Sequence, residues 1–220
     1  MEAWTIIWQQ RAIFLEGFFQ TILLFGLSGS MAFLSGIAIL MALEGPDNPL
    51  RRAIRLLMDG MRMIPCLIYA YLLYYGLPPL GIRLDAWTAG CLALTTYHAA
   101  YFAEILRGAR AELSPGQVEA ARSHGFRTLP MFVRIIVPQL LLRTGPVLGN
   151  QLIICLKDTS FLTIITVAEL TSAATSVQAQ YFIPVQAFVV AIALYWLVCL
   201  GIERCVRHLG RAATIRGLRS

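Results

Sequence analysis

The sequence is poor in charged residues. Only 14% of its 220 residues are Asp, Glu, Lys or Arg, whereas 58% are hydrophobic and the mean hydropathy is +0.68. Ordinary soluble domains carry roughly a quarter charged residues, and a soluble globule of this length could not bury so much apolar surface. The composition therefore excludes a disordered chain and predicts an all-α, polytopic membrane protein. We assign the net charge of +6 to loops rather than to nucleic-acid binding.

Two kinds of site are also missing from the sequence. The five cysteines form no C-x-x-C pair and show no metal-ligand spacing with the three histidines, so we expect buried, apolar cysteines. A G-x-x-x-x-G-K-[ST] segment, which cradles phosphates, is absent, because Gly145–Asn150 lacks the lysine. Energy for any transport must therefore come from another chain or from an ion gradient.

Long uncharged runs predict five helices that cross the bilayer within a single domain, residues 1–220. A spanning helix needs about 20 apolar residues. The predicted spans are 18–43, 63–82, 86–103, 144–168 and about 184–202. The first run has no small-residue cleavage pattern, so we expect it to be retained as a span.

The positive charges predict an orientation. Fifteen Lys and Arg residues fall on one side of the predicted spans, two fall on the other side, and Lys157 lies within a span. Positive residues concentrate in cytoplasmic loops. We therefore expect the N-terminus outside the cell and the C-terminus in the cytoplasm, which makes residues 107–138 a long cytoplasmic loop.

That loop encodes a short helix with signals at both ends. Ser114 suits the N-cap, Pro115 the first helical position, and Gln117 would complete a capping box. Gly125 suits the left-handed residue that ends a helix. Because a helix of about three turns over residues 115–124 is marginal alone, we expect it to dock on a partner protein. The alternative is a helix that lies on the lipid surface.

Several motifs resemble those of known transport proteins. Glu119-Ala120-Ala121, followed by Gly125 and by Ile135-Ile136-Val137-Pro138, resembles the EAA loop of ABC importer permeases, with Val137 in place of the usual Leu. Further stretches resemble the polar amino acid permeases: Arg62–Pro65, Ala100–Gly108, Pro115–Gln117, Leu156–Ser160 and Ala168–Leu170. Cys66 stands where that family usually has an apolar residue. The resemblance covers roughly residues 15–208.

The resemblance implies a permease subunit of the type I ABC importer class, without a cofactor of its own and without catalytic residues. It would pair with an identical or homologous permease in a bacterial inner membrane. Two ABC ATPase subunits would bind the ATP, and an extracytoplasmic binding protein would deliver polar or basic amino acids or opine-like compounds. The residues implied to couple the ATPase to the membrane helices are Glu119, Ala120, Ala121, Gly125, Ile135 and Pro138.

Three charges within the predicted spans carry the transport hypothesis. Lys157, Asp158 and Glu169 are the only charged residues between Arg143 and Glu203. Such charges usually line a cavity or are paired, and a zwitterionic amino acid requires both signs. Adjacent helical residues point about 100° apart, so Lys157 and Asp158 cannot both face one ligand on a regular helix.

A helix break near these charges is also predicted. Asp158, Thr159 and Ser160 are good helix caps, so backbone N–H groups here could face a substrate carboxylate. The predicted substrate path therefore comprises Lys157, Asp158, Thr159, Ser160 and Glu169. Two alternatives remain open, namely a buried ion pair that holds spans together and a solvent-exposed Glu169.

Two other functions compete with this interpretation. Gly26-Leu27-Ser28-Gly29 resembles the G-x-S-G of rhomboid intramembrane proteases, with His98 as a possible base. However, five spans are fewer than that family uses. An ion-coupled secondary carrier is the other alternative, and an odd number of spans without an evident internal repeat argues against it.

Overall fold

The computed structural model describes residues 2–215, with the side chains of residues 2–208 and 210. No strand occurs in this part of the chain, which confirms the predicted all-α fold. The helices are α1 Glu2–Gln9, α2 Arg11–Ala42, α3 Pro49–Met63, α4 Cys66–Gly76, α5 Ala86–Ala111, α6 Pro115–Ser123, α7 Thr128–Met131, α8 Val137–Asp158, α9 Leu170–Tyr181 and α10 Pro184–Ile215.

Helix α5 is the centre of the fold. More than half of its 26 residues are buried, and its N-terminus is capped by Asp85, which accepts a 3.0 Å hydrogen bond from the amide of Thr88. Small residues bring α2 close to it. A Cβ atom on Gly36 of α2 would lie only 2.7 Å from the Cβ of Phe102. Close approach of this kind is what small residues permit between membrane helices.

Three helical stretches within the described residues are long and apolar enough to cross a membrane: Arg11–Ala42, Thr128–Ile165 and Pro184–His208. A fourth is counted if α3 and α4 together form one span. Helix α5 has a sufficient length of 26 residues, about 39 Å at 1.5 Å per residue, but it is less apolar. The count of five therefore stays a prediction.

The helix within the predicted span 63–82 begins later than expected, at Cys66, and its α-helical part ends at Gly76, followed by a 3-10 helix over Pro78–Leu80. Helices α3 and α4 meet at an angle of 104°, and α4 contains only 11 residues. Pro65 lies at the bend, where it lacks an N–H for the helix ladder. It also holds the preceding Ile64 in an extended conformation, with φ −93° and ψ 137°.

The chain from Thr128 to Ile165 is helical throughout but changes type three times. A π-helical turn, Phe132–Ile136, precedes α8, and a 3-10 helix, Thr159–Ile165, follows it. Pro138 in the first turn of α8 cannot donate to a carbonyl one α-helical turn earlier, which accounts for the altered pairing before it. The 3-10 helix ends at Thr166, whose φ is +66°.

We predict opposite effects for two glycine-to-alanine substitutions in α2. Gly36→Ala should destabilise the chain by about 1–3 kcal/mol, because the new Cβ has no room beside Phe102. Gly26→Ala is the matched control, because no atom lies within 4 Å of its Cβ position and alanine favours helix by about 0.5–1 kcal/mol. Thermal unfolding of the two full-length variants in detergent measures both effects. Equal stabilities would contradict the packing of α2 on α5.

Candidate functional site

The cytoplasmic-loop helix forms as predicted, with one correction at its start. Ser114 occupies the N-cap position of α6, but its side chain makes no capping hydrogen bond, so the capping box is wrong. The amide of Gln117 instead bonds to the backbone carbonyl of Ser114 at 3.2 Å. Because the backbone carbonyl of Ser114 already accepts from the Gln117 amide, the Ser114 hydroxyl does not, and the first turn of α6 is held by backbone groups alone.

The end of α6 is a Schellman motif built on Gly125. The amide of Gly125 bonds to the carbonyl of Arg122 at 2.9 Å, and the amide of Phe126 bonds to that of Ala121 at 3.1 Å. Gly125 has φ +78°, and no atom lies within 4 Å of its Cβ position. The constraint at Gly125 is therefore backbone conformation rather than space.

Some motif residues of α6 are buried against the rest of the chain, and others lie on the surface. Ala121 is only 4% exposed and packs in a core cluster with Leu113, Met131 and Phe132. Glu119, Ala120 and Gly125 are exposed, as is Pro138 in α8, whereas Ile135 is half-buried. The EAA segment therefore docks on its own chain through Ala121 and leaves Glu119 and Ala120 free for a partner.

Many arginines at this end of the molecule are paired. Arg110 of α5 contacts Glu44, just after α2, at 2.6 Å. Arg52 and Arg55 both donate to Asp47, which lies between α2 and α3. The hydrogen bonds from these two arginines hold the pKa of Asp47 below its ordinary value. Some of the positive residues at this end therefore hold the connection between α2 and α3 in place through ion pairs.

A cavity of about 430 Å³ lies between the end of α8 and α10. Its polar lining groups are Lys157, Ser160, Thr171 and Tyr195, and the apolar side chain of Trp196 of α10 is beside them. Among the described residues that line it, Lys157 is the only charged one. A mostly apolar cavity with a few convergent polar groups is the usual form of a small-molecule site.

Asp158 points away from this cavity. Its Oδ2 lies 3.4 Å from Nε2 of His98 in α5, and its side chain is only 14% exposed. The prediction that Lys157 and Asp158 face different directions is therefore confirmed. Asp158 therefore lies against another helix, but no hydrogen bond joins it to Nε2 of His98, so the ion-pair alternative stays a prediction.

The predicted helix break exists but has a different form. The α-helix ends at Asp158 and continues as the 3-10 helix, so no helix begins at this break. The hydroxyls of Thr159 and Ser160 donate back to the carbonyls of Leu156 and Lys157, both at 2.7 Å. These side chains therefore satisfy a helix C-terminus instead of capping an N-terminus, which corrects the expected array of N–H groups.

Glu169 is fully buried and acts as the N-cap of α9. Its carboxylate accepts hydrogen bonds from the amides of Thr171 and Ser172 and from the hydroxyl of Tyr195, each at 2.8 Å. The alternative of a solvent-exposed Glu169 is wrong, because the polar groups that follow it fold back onto the carboxylate. Glu169 does not line the cavity itself but bonds to Thr171 and Tyr195, which do, and its place in the substrate path stays a prediction.

The protease alternative lacks its reactive pair. The hydroxyl of Ser28 donates to the carbonyl of Leu24 at 2.7 Å, and Nδ1 of His98 lies 2.9 Å from the amide nitrogen of Gln151. No hydrogen bond joins Ser28 to His98 in the described structure, whereas a nucleophile and its base must be in such contact. Ser28 is therefore a helix-packing residue here.

Comparison with known proteins agrees with this arrangement. The model of the family "Binding-protein-dependent transport system inner membrane component" matches residues 35–215. The probable glutamine ABC transporter permease protein GlnM of Bacillus subtilis is 31% identical over 194 residues, which are 88% of this chain and 89% of GlnM. The nopaline transport system permease protein NocM of Agrobacterium fabrum is 34% identical over 156 residues, 66% of this chain and 65% of NocM.

A solved structure shows the same fold. The crystal structure of an amino acid ABC transporter with histidines is 28% identical to this chain, with a TM-score of 0.83, and the match covers 94% of this chain and 96% of that one. The chain belongs to the family of inner membrane components of binding-protein-dependent transport systems. It is a membrane-embedded permease subunit of an ABC importer, not an enzyme, and ATP hydrolysis belongs to a separate chain.

Sequence reasoning missed several residues of the site. Thr171 and Tyr195 complete the polar lining of the cavity, and Cys66 and Gln151 lie beside His98 and Asp158. One signal was available for Tyr195, because a tyrosine hydroxyl inside an apolar helix normally finds a hydrogen-bond partner. The others depend on contacts between distant parts of the chain.

We predict that Glu169→Ala lowers stability much more than removal of an exposed acid. The substitution removes three hydrogen bonds to a buried carboxylate. A hydrogen bond to a charged group contributes at most about 1.5–3 kcal/mol to the free energy of unfolding. Glu203→Ala is the control, because its side chain is 52% exposed and a surface ion pair contributes about 0–1 kcal/mol. Thermal unfolding in detergent measures both. A Glu169→Ala variant as stable as Glu203→Ala would contradict the capping role.

Proposed function

We propose that this permease imports amino acids or closely related opine-like compounds, and that Lys157 binds the substrate carboxylate. The observation that carries the proposal is that Lys157 is the single charged side chain among the described residues that line the cavity between α8 and α10. An ammonium group in a mostly apolar cavity forms strong charge-assisted hydrogen bonds with a carboxylate. The glutamine and nopaline permeases among the relatives support the same substrate class.

The neighbouring hydroxyls would orient the bound substrate. Ser160 and Thr171 line the cavity beside Lys157, and the hydroxyl of Tyr195 is fixed by Glu169 and lies 3.3 Å from that of Thr171. Glu169 thus acts as a positioning residue for Tyr195. Asp158 and Thr159 were also predicted for the path, but neither lines the cavity, and Asp158 lies against His98 of α5.

We propose that the exposed part of the EAA loop is the contact with the ATPase. Glu119 and Ala120 are free on the surface of α6, and Gly125 turns the chain out of the helix. Ala121 anchors α6 to Leu113, Met131 and Phe132 in the core. A displacement of α6 would therefore be transmitted to α8 through the π-helical turn that contains Ile135 and through Pro138.

We further propose the assembly and the orientation. Two permease chains, identical or homologous, would form the path, with two ATPases below and an extracytoplasmic binding protein above, in a bacterial inner membrane. The N-terminus would lie outside and the C-terminus in the cytoplasm. The support is the 15-to-2 distribution of Lys and Arg together with the family's description as an inner membrane component of a binding-protein-dependent system.

Substitution of Lys157 tests the substrate contact. Lys157→Met keeps the length of the side chain but removes its charge, so the half-saturation concentration for uptake should rise about ten- to a hundredfold, the loss of about 1.5–3 kcal/mol. Lys157→Arg is the matched control, because it keeps the charge. Uptake by proteoliposomes that hold the whole transporter, with assembly checked by size exclusion, is the measurement.

A carboxylate-to-amide comparison makes this test specific. The wild type should prefer the amino acid over its α-carboxamide, and Lys157→Met should lose most of that preference. Equal half-saturation in the wild type and in Lys157→Met, with the preference intact, would remove Lys157 from the site. Family membership would be unaffected by that result.

Two substitutions at Gly125 test the coupling role. Gly125→Val should abolish most ATP-driven uptake, because a β-branched residue is strained at φ +78°, whereas Gly125→Asn should retain uptake, because Asn tolerates this region. Both variants should insert into the membrane, since the position is exposed. The ratio of uptake to ATP hydrolysis is the measurement. Normal uptake by Gly125→Val with its usual ATPase would contradict the coupling role.

A further inference from the structure

A second cluster of reactive side chains lies outside the cavity described above. Cys66 begins α4, His98 lies in the middle of α5, and Asp158 ends α8. The Sγ atom, an imidazole nitrogen and a carboxylate oxygen of these residues all lie within 4.8 Å of one another. The residues are 32 and 60 positions apart along the chain, which is why their spacing carried no metal signal in the sequence.

The imidazole of His98 is directed into this cluster. The residue is fully buried, and its Nε2 has no hydrogen-bond partner among the described residues. The nearest carboxylate oxygen, Oδ2 of Asp158, is 3.4 Å away in poor geometry. A buried polar nitrogen without a partner is costly, and a bound ligand between His98, Cys66 and Asp158 would remove that cost.

The three donors match the coordination chemistry of zinc. Thiolate, imidazole and carboxylate bind Zn²⁺ at about 2.0–2.3 Å, which places neighbouring ligands around a tetrahedral ion about 3.3–3.8 Å apart. The separation between His98 and Asp158 already falls in this range. The remaining pairs lie within 4.8 Å, so each must close by about 1 Å or less to reach it. A thiolate ligand favours zinc over magnesium or calcium.

We propose that Cys66, His98 and Asp158 form a binding site for Zn²⁺, with water as the fourth ligand. Binding displaces the thiol proton of Cys66 into solvent, because the metal ligand is the thiolate. The ion links α4, α5 and α8, in addition to the hydrogen bonds of Tyr69 with Thr96 and of Gln151 with His98. Bound zinc therefore holds the bent α3–α4 segment to the centre of the fold.

Gln151 is the positioning residue of this site. Its side-chain amide lies 2.9 Å from Nδ1 of His98. When Nε2 of His98 binds the ion, Nδ1 carries the proton and needs an acceptor. A half-turn of the Gln151 amide presents its carbonyl oxygen to Nδ1, which is the usual support of a metal-bound histidine.

Cobalt titration of the purified full-length chain in detergent tests the proposal. We expect one Co²⁺ per chain with a thiolate-to-cobalt charge-transfer band, which Zn²⁺ displaces. Cys66→Ala should abolish the band and lower Zn²⁺ affinity by more than about 100-fold, and Gln151→Leu should lower affinity by about 10- to 100-fold. Cys91→Ala is the matched control, because Cys91 is equally buried in α5 but lies outside the cluster.

A second measurement uses the wild-type fold and does not depend on the variants. Zn²⁺ should slow alkylation of Cys66, followed by mass spectrometry, and leave the rate at the exposed Cys205 unchanged. It should also raise the thermal unfolding temperature of the wild type but not that of Cys66→Ala. A missing charge-transfer band, a band that persists in Cys66→Ala, or alkylation of Cys66 at the same rate with and without Zn²⁺ would each overturn the proposal.

Discussion

The structure depends on one constraint, which is that ionisable groups among apolar helices must find partners. An unpaired charge in such surroundings is expensive. Glu169 therefore takes two amides of α9 and the hydroxyl of Tyr195, and Asp158 lies against His98 of α5, where the proposed Zn²⁺ would be its partner. Once these carboxylates are directed inward, Lys157 is left facing the cavity between α8 and α10. The positive charge of that cavity therefore results from the inward direction of the two carboxylates.

Part of the structure was predictable from the sequence, because it depends on residues that are close together in the chain. The helix α6 and its left-handed end follow from Pro115 and Gly125, and the structure has φ +78° at that glycine. The different directions of Lys157 and Asp158 follow from helical periodicity alone. The family could be predicted because several motifs occur in the order that is typical of its members.

Contacts between distant segments were not predictable in the same way. The 104° bend at Pro65 sets the direction of the apolar run 63–82 relative to α3, and hydropathy carries no information about direction. The burial of Glu169 depends on Tyr195, 26 residues away. The capping box failed at Ser114 because a backbone bond satisfied the same amide. The π-helical hydrogen bonding before Pro138 was not predictable either, because the residues of this turn have the composition of an ordinary α-helix.

The central claim is that Lys157 is the charge that the pairing of Glu169 and Asp158 leaves for the substrate. An electron cryomicroscopy structure of the assembled transporter with a bound amino acid tests it most directly. The account predicts a substrate carboxylate oxygen about 2.7–3.0 Å from Nζ of Lys157, with Glu169 still bonded to Tyr195. A substrate seated elsewhere, with the ammonium group of Lys157 in contact with lipid head groups, would contradict it.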